Sequence, residues 1–378
     1  MVSILSYGAK GDGVSNDYAA IQAALDAGEK DIVIPEGTYM IDAPLQIPSH
    51  RHIRADAGAC VVFAASRPMT QTDFLMTNAD TEDGNEDIAI EGGVWDGGFG
   101  REFNRKSGDI FEIGSTSGAC LNFVTVKGLR LLDMTITNPV AYYIRLGRVR
   151  DFVIRDIRFA SDMLGNNQDG VHFSGYCRDG LVENVRAITK GQTNDDLLAF
   201  NADDSIQRQE NRGLTCGPIE NITCRDIYAE DCHTAIRMSS ITAPIRHIRI
   251  ENLYAGCRCM AINMDALRYC RSPLLIETSA PHGVGDVSDV VITNMTAFYT
   301  ESARQPLALI DLEEHCNDVK LVNFTRPMEK DACPETPTLL ARNLTHQTIT
   351  ADGEKLSLTD KQTKRELYGD IHSISLSC

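Results

Sequence analysis

The chain has 378 residues, 43% of them hydrophobic and 24% charged, enough apolar material for one large domain or two to three smaller ones. No run of 18 or more apolar residues occurs, which excludes a transmembrane helix. With 36 basic against 53 acidic residues the formal charge is −17, which argues against nucleic acid, an anionic membrane, or an acidic polymer unless a local basic cluster overrides the mean field.

The N-terminus, Met1-Val2-Ser3-Ile4-Leu5-Ser6-Tyr7-Gly8, has no basic n-region, no long apolar h-region and no cleavage site. Twelve cysteines are about 3% of the residues, well below a disulfide scaffold. The close pair is Cys257-Arg258-Cys259, and no Cys-x2-Cys exists to close a tetrahedral zinc site. The expectation is reduced thiols, a cytoplasmic location, and neither metal nor cofactor; a secreted chain whose leader had been removed would look the same. Asp17 to Leu25 reads as an amphipathic helix with Ala20, Ile21, Ala24 and Leu25 on one face and Ser15 or Asn16 as its cap. Residues 1–50 are thus expected to form an N-terminal cap and a first coil, the helix covering strand edges that would otherwise invite aggregation.

From about residue 120 one short pattern recurs: an alternating strand, an Asp- or Asn-containing turn, and another alternating strand. The turn residues Asp133, Asp156, Asn184, Asp226, Asn252, Asn294 and Asn323 lie 23, 28, 42, 26, 42 and 29 residues apart. Each interval holds one further strand, and the two long intervals read as single units with insertions. Units this small cannot bury their own apolar faces, whereas stacked in parallel they can. Asn-Gly hairpin signals are absent and 3.6-residue periodicity is lacking, which disfavours a sandwich and helical repeats. The expected fold is all-β: a right-handed, single-stranded parallel β-helix with an N-terminal capping helix. It forms one domain over residues 1–378, with a polar, irregular tail or cap over 334–378.

Stacked coils turn equivalent positions into ladders. The outward ladder holds Arg145, then Asp169 and His172, then Asp195, Asp196 and Asn201, then His233 and Arg237, then Asn263 and Asp265. A solvated sheet face would look similar. Three carboxylates at the leading ends of two adjacent strands are another matter, since like charges that close should raise at least one pKa. Acid/base work on a glycosidic bond is a use for such a cluster. His172 fits a sugar contact or a buried structural histidine equally well. Asp203 and Asp204 read as caps of a solvated loop. Trp95, set among glycines, reads as packing under a turn.

Asn167-Gln168-Asp169-Gly170 followed by Asn194-Asp195-Asp196 resembles the Asn-Thr-Asp-Gly and Gly-Asp-Asp motifs of glycoside hydrolase family 28, the polygalacturonases. Tyr7-Gly8-Ala9-Lys10-Gly11-Asp12-Gly13, Ile34-Pro35-Glu36-Gly37-Thr38-Tyr39 and Gly93-Val94-Trp95-Asp96-Gly97-Gly98 are similar to landmarks of the wider pectin-lyase-like β-helix superfamily. The resemblance implies inverting hydrolysis, with Asp196 as general acid and Asp169 and Asp195 holding and deprotonating the water. It implies that His233 occupies the place of the family's Gly-His-Gly histidine. The outward ladder, with Asn167 of the family-like motif, gives an expected sugar-binding set of Arg145, Asn167, His172, Asn201, Arg237, Asn263 and Asp265. The family's Arg-Ile-Lys is expected at Ala261-Ile262-Asn263-Met264-Asp265, where both cations are gone, or at Ala235-Ile236-Arg237-Met238-Ser239, where one remains. A neutral or singly charged glycoside is therefore expected rather than polygalacturonate. The partner is an oligosaccharide or polysaccharide. The alternatives are a lyase or uronate epimerase on the same scaffold, for which the ladder has too few lysines, and a non-catalytic carbohydrate-binding β-helix.

Overall fold

The computed structural model describes residues 1–70, 72–104, 118–203, 215–265, 284–304 and 306–378. Strands of successive coils pair in parallel along the length of the molecule, giving a parallel β-helix, right-handed as parallel crossovers almost always are. Each middle coil supplies one short strand and one long bent strand: Leu121–Val124 with Val126–Thr137, Ile144–Gly147 with Arg150–Phe159, and Val171–Ser174 with Arg178–Ala187. Farther on, long and short strands merge into Ile219–Ser239 and Ile245–Met264.

Alternation puts every second side chain inside, and register stacks like on like. Leu131, Ile154, Val182, Cys224, Ile250, Ile292 and Leu321 form one interior ladder. Every member is buried. Phe152 lies flat against Gly180 in the next coil, where a Cβ would come within 1.9 Å of the ring. Phe173 and Phe200 stack with centroids 4.9 Å apart.

The long strands bend at the turn residues singled out above. All seven have φ between 48° and 60°, the left-handed region that Asn and Asp tolerate best. They also stack: the Asn184 amide donates to Asp156 (2.7 Å), Asn252 to Asp226, Asn294 to Asn252 and Asn323 to Asn294 (3.0 Å each). A second bend, not anticipated, runs through Asp151, Asp179, Asn221, His247, Asp289 and Asp318, with φ between 48° and 58°. Both 42-residue intervals are single rungs, since Glu183 pairs with Arg225 and Glu251 with Thr293. Most of the first insertion, with Asp204, lies outside the described residues.

At the N-terminus a helix spans Tyr18–Asp26 and buries Ile21, Ala24 and Leu25. Its N-cap is Asp17 rather than Ser15 or Asn16. The Asp17 carboxylate is taken up by the backbone N–H groups of Lys10 and Gly11 (2.7 and 3.1 Å), and Asn16 accepts from Tyr18 instead. The C-terminal segment is not irregular. Leu339–Ala341 continues the parallel stack, while Gln347–Ala351, Glu354–Leu358, Arg365–Leu367 and Ser373–Ser377 pair antiparallel. The described cysteines carry no disulfide, and no described helix is long and apolar enough to cross a membrane.

Candidate active site

Register settles which coil carries which polar residue. Arg145 pairs with His172, His172 with Ala199, Ala199 with Arg237, Arg237 with Asn263 and Asn263 with Asp311. Asp195 and Asp196 stand at the leading end of the short strand that holds Ala199. His233 stands at the same end one rung on, where its backbone N–H donates to the Thr193 carbonyl (2.8 Å). Adjacent rungs lie about 4.8 Å apart, so these side chains meet.

Asp195, Asp196 and His233 each offer a ligand atom within 4.8 Å of the other two. Nδ1 of His233 is 3.8 Å from Oδ1 of Asp195, and the two side chains are 37% and 28% exposed. Two oxygens and a nitrogen at that spacing suit proton transfer, and they could equally hold a metal ion. Asp169 lies one rung earlier: the N–H of its neighbour Gly170 donates to the Asp196 carbonyl (2.9 Å). Its carboxylate, however, hydrogen-bonds Nδ1 of His172 at 2.7 Å, and both residues are buried. Asp195, Asp196 and His233 therefore form one close group, and Asp169 stands one rung earlier with its carboxylate on His172.

Buried and half-buried polar side chains hold the adjoining loops. Gln168 donates to the carbonyls of Pro139 and Met163 and accepts from the Gly165 N–H and from Gln192. Asn194 donates to the Gly165 carbonyl (2.9 Å). Arg258, buried, donates to the carbonyls of Gly191 and Thr193 and to Oδ1 of Asn194 (3.0, 3.3 and 2.7 Å). None of Gln192, Asn194 or Arg258 was read from sequence as a site residue. The available signal was a cation inside the alternating stretch Gly256-Cys257-Arg258-Cys259. Cys232 pairs with Cys257 and Thr234 with Met260. The residues one rung beyond His233 are thus Arg258 and Cys259, not Ala261 to Asp265. Ala261 to Asp265 stack farther along the same coil on the strand of Arg237, and Arg258 brings a cation of that coil against the loop of Gly191, Thr193 and Asn194.

The remaining candidates scatter. Arg145 is fully buried, donates to Asn122 (2.9 Å), and lies over the rings of Phe74 and Tyr142. It is buried on the outer face of the sheet, opposite the core-facing Ile144 and Leu146, with burial pulling its pKa down to about 10. The ring of His172 packs against Tyr142 at 4.5 Å. Asn167 occupies a left-handed turn (φ 60°) before Asp169. Asn201 ends its strand, about 16 Å of extended chain away from Asp196. Arg237 and Asn263 are buried, Arg237 four residues beyond His233 on the same strand, and Arg237 pairs with Asp265 at 2.7 Å. Trp95 is fully buried and donates to the Gly92 carbonyl, so it cannot stack on a sugar. Asp203 is also buried and caps the turn at Thr242 and Ala243 in the next coil.

Although over a third of the His233 side chain is exposed, burial is the largest influence on it and lowers its pKa. Asp195 opposes that shift, and the nearby cations Arg258, Arg304 and Arg237 reinforce it. The imidazole is thereby biased toward its neutral form.

A family model described as rhamnogalacturonase A/epimerase, pectate lyase-like, matches residues 1–258. Plasmin and fibronectin-binding protein A of Streptococcus pneumoniae is 30% identical over 147 residues, 33% of this chain. That match spans only 20% of the relative's own length. Among solved structures, the family 28 exopolygalacturonase of Yersinia enterocolitica superposes with a TM-score of 0.59 at 16% identity, over 86% of this chain and 71% of that one. The tailspike of E. coli bacteriophage HK620, solved with a pentasaccharide, gives 0.62 at 14% identity, over 91% and 60%. At these identities the likeness is one of fold.

Proposed function

The chain belongs to the rhamnogalacturonase A/epimerase, pectate lyase-like family, and from that premise we propose that it is a glycoside hydrolase cleaving an oligo- or polysaccharide by inverting general acid/base catalysis. The observation that carries this reading is the half-open group of Asp195, Asp196 and His233, within 4.8 Å of one another and braced by the adjoining loops. Asp196 gives its proton to the glycosidic oxygen as the bond to the anomeric carbon breaks. Asp195 takes a proton from the water that attacks that carbon. Inverting carboxyls usually stand about 6.5–9.5 Å apart to admit the water. Asp195 and Asp196 are closer, so the water is assigned to the side of Asp195 away from Asp196 rather than between the two. His233, biased toward neutrality and 3.8 Å from Asp195, is close enough to influence its proton affinity electrostatically, while its Nδ1 bonds the Thr234 hydroxyl (3.1 Å).

The sugar at the cleavage point is neutral or singly charged. Arg237 is committed to Asp265, and Arg258 to Asn194 and two carbonyls, so neither is free for a bidentate grip on a uronate. Oligosaccharides of defined linkage should yield new reducing ends, a product of inverted anomeric configuration by NMR, and no unsaturated, ultraviolet-absorbing product. Asp196→Asn should lower turnover by about 10²–10⁴ while leaving the melting midpoint and ligand binding nearly unchanged. Full turnover in that variant, or a retained configuration, would overturn the assignment. An absorbing product would indicate lyase chemistry instead, and faster cleavage of polygalacturonate than of neutral glycosides would refute the substrate reading.

A further inference from the structure

The short strands have two ends, and the group of Asp195, Asp196 and His233 uses one. At the other, about 13 Å of strand away, the surface opens into a groove of about 760 Å³ lined by Lys127, Arg148, Arg150, Tyr176 and Arg178, with Asp83 and Glu86 toward one end. Lys127 pairs in register with Arg150, and Arg150 with Arg178. Three exposed cations therefore occupy consecutive rungs about 4.8 Å apart. The rows before and after them are acidic but already engaged. Glu86 precedes Lys127 and faces His50 at 3.4 Å; Glu220 follows Arg178 and is held by Arg246. Arg178 has Asp179 at 3.2 Å. Lys127 and Arg150 carry no ion pair among the described residues. Arg148 lies 5.5 Å from the ring centroid of Tyr176, which is 49% exposed and backed by Gly217.

In a chain of net charge −17, three cations aligned rung upon rung, of which only Arg178 has an ion pair among the described residues, are the local basic cluster that reverses the mean field. We propose that this groove binds an anionic glycan, successive rungs meeting the carboxylate or sulfate groups of successive sugars. The rung spacing is comparable to one sugar unit, and each contact is a charge-assisted hydrogen bond. Three rungs suit a short stretch of glycan. A nucleic acid would need a longer basic track than the acidic surroundings permit. The proposal concerns a different edge of the sheet from the hydrolytic reading and does not depend on it.

Titration calorimetry on the full chain tests it with an oligogalacturonate hexamer, a sulfated oligosaccharide and a neutral oligosaccharide of equal length. At low salt one or both anionic oligomers should bind with an affinity that falls as salt rises, whereas any binding of the neutral one, through the hydrolytic site, should not respond to salt or to Arg150→Glu. Which anion binds tighter identifies carboxylate or sulfate as the natural group. Arg150→Glu should weaken binding at least about tenfold, and the milder Arg148→Ala several-fold, with unchanged melting midpoints. Asp196→Asn should bind as tightly as the wild type, so loss of hydrolysis and loss of groove binding are separable. The proposal is overturned if neither anionic oligomer binds at low salt, if Arg150→Glu leaves their affinity unchanged or weakens the neutral oligomer equally, or if a single-stranded oligonucleotide binds as well.

Discussion

Arg258 is a buried cation whose Nη2 serves three acceptors on the turn that presents Asp195 and Asp196. Replacing it with methionine keeps most of the volume and strands those acceptors, at a cost of about 2–3 kcal/mol. Arg258→Met should therefore lower the melting midpoint and reduce kcat more than it raises KM, with Arg258→Lys intermediate; equal loss in all three would deny it a positioning role. His233 makes a prediction in pH. Its folded pKa is lowered below 6.5, chiefly by burial, so below 6.5 the unfolded chain takes up a proton that the folded chain resists. Its contribution to stability is fully present above pH 6.5 and is lost as pH falls toward the lowered value. The melting midpoint of the wild type relative to His233→Asn should drop across that window. A difference that stays constant or grows in acid would contradict the shift.

Among the elements, the bend ladder is where sequence and structure agree most closely. Asn252 sits at φ 56°, donates to Asp226 and accepts from Asn294. Asn252→Val should cost about 2 kcal/mol, from a β-branched residue held at positive φ and two lost hydrogen bonds, whereas Asn252→Gly keeps the backbone and should cost less. Urea midpoints of the pair test this, and equal losses would mean that backbone conformation is not what selects Asn. The ladder was legible because the same residue type recurs wherever the coil must turn left-handed. The pair Asp195 and Asp196 with His233 was legible for a related reason, since coil counting places them on adjacent rungs. The braces were not. Alternation says whether a side chain points in or out, but not that a buried Arg258 reaches the Gly191 carbonyl 67 residues away. Nor could it foresee that Asp169 would turn to His172, because that choice is made by local side-chain geometry within one buried rung.

On the scale of the whole molecule, a stack of parallel coils ends in an unpaired strand edge that templates association unless it is covered. At the C-terminal side Ser373–Ser377 pairs antiparallel with Cys316–Thr325, and Arg365–Leu367 with Leu339–Ala341. The fully buried Arg326 ties this closure to the coils. It bonds Asp331, the carbonyls of Cys333 and Thr336, and the Thr338 hydroxyl, and lies over the ring of Tyr299. Removing residues from Pro334 onward would expose the last full coil and strip Arg326 of its contacts with Thr336 and Thr338, leaving a buried cation undersatisfied. The truncated chain should melt earlier and elute as dimers or larger species on size exclusion, while charged substitutions on the solvent face of Cys316–Thr325, such as Val322→Lys, should partly restore the monomer. Val322 already faces solvent at 40% exposure, so that change leaves the core intact. A truncated chain that remains monomeric with an unchanged midpoint would mean that the interior ladders alone hold the stack closed.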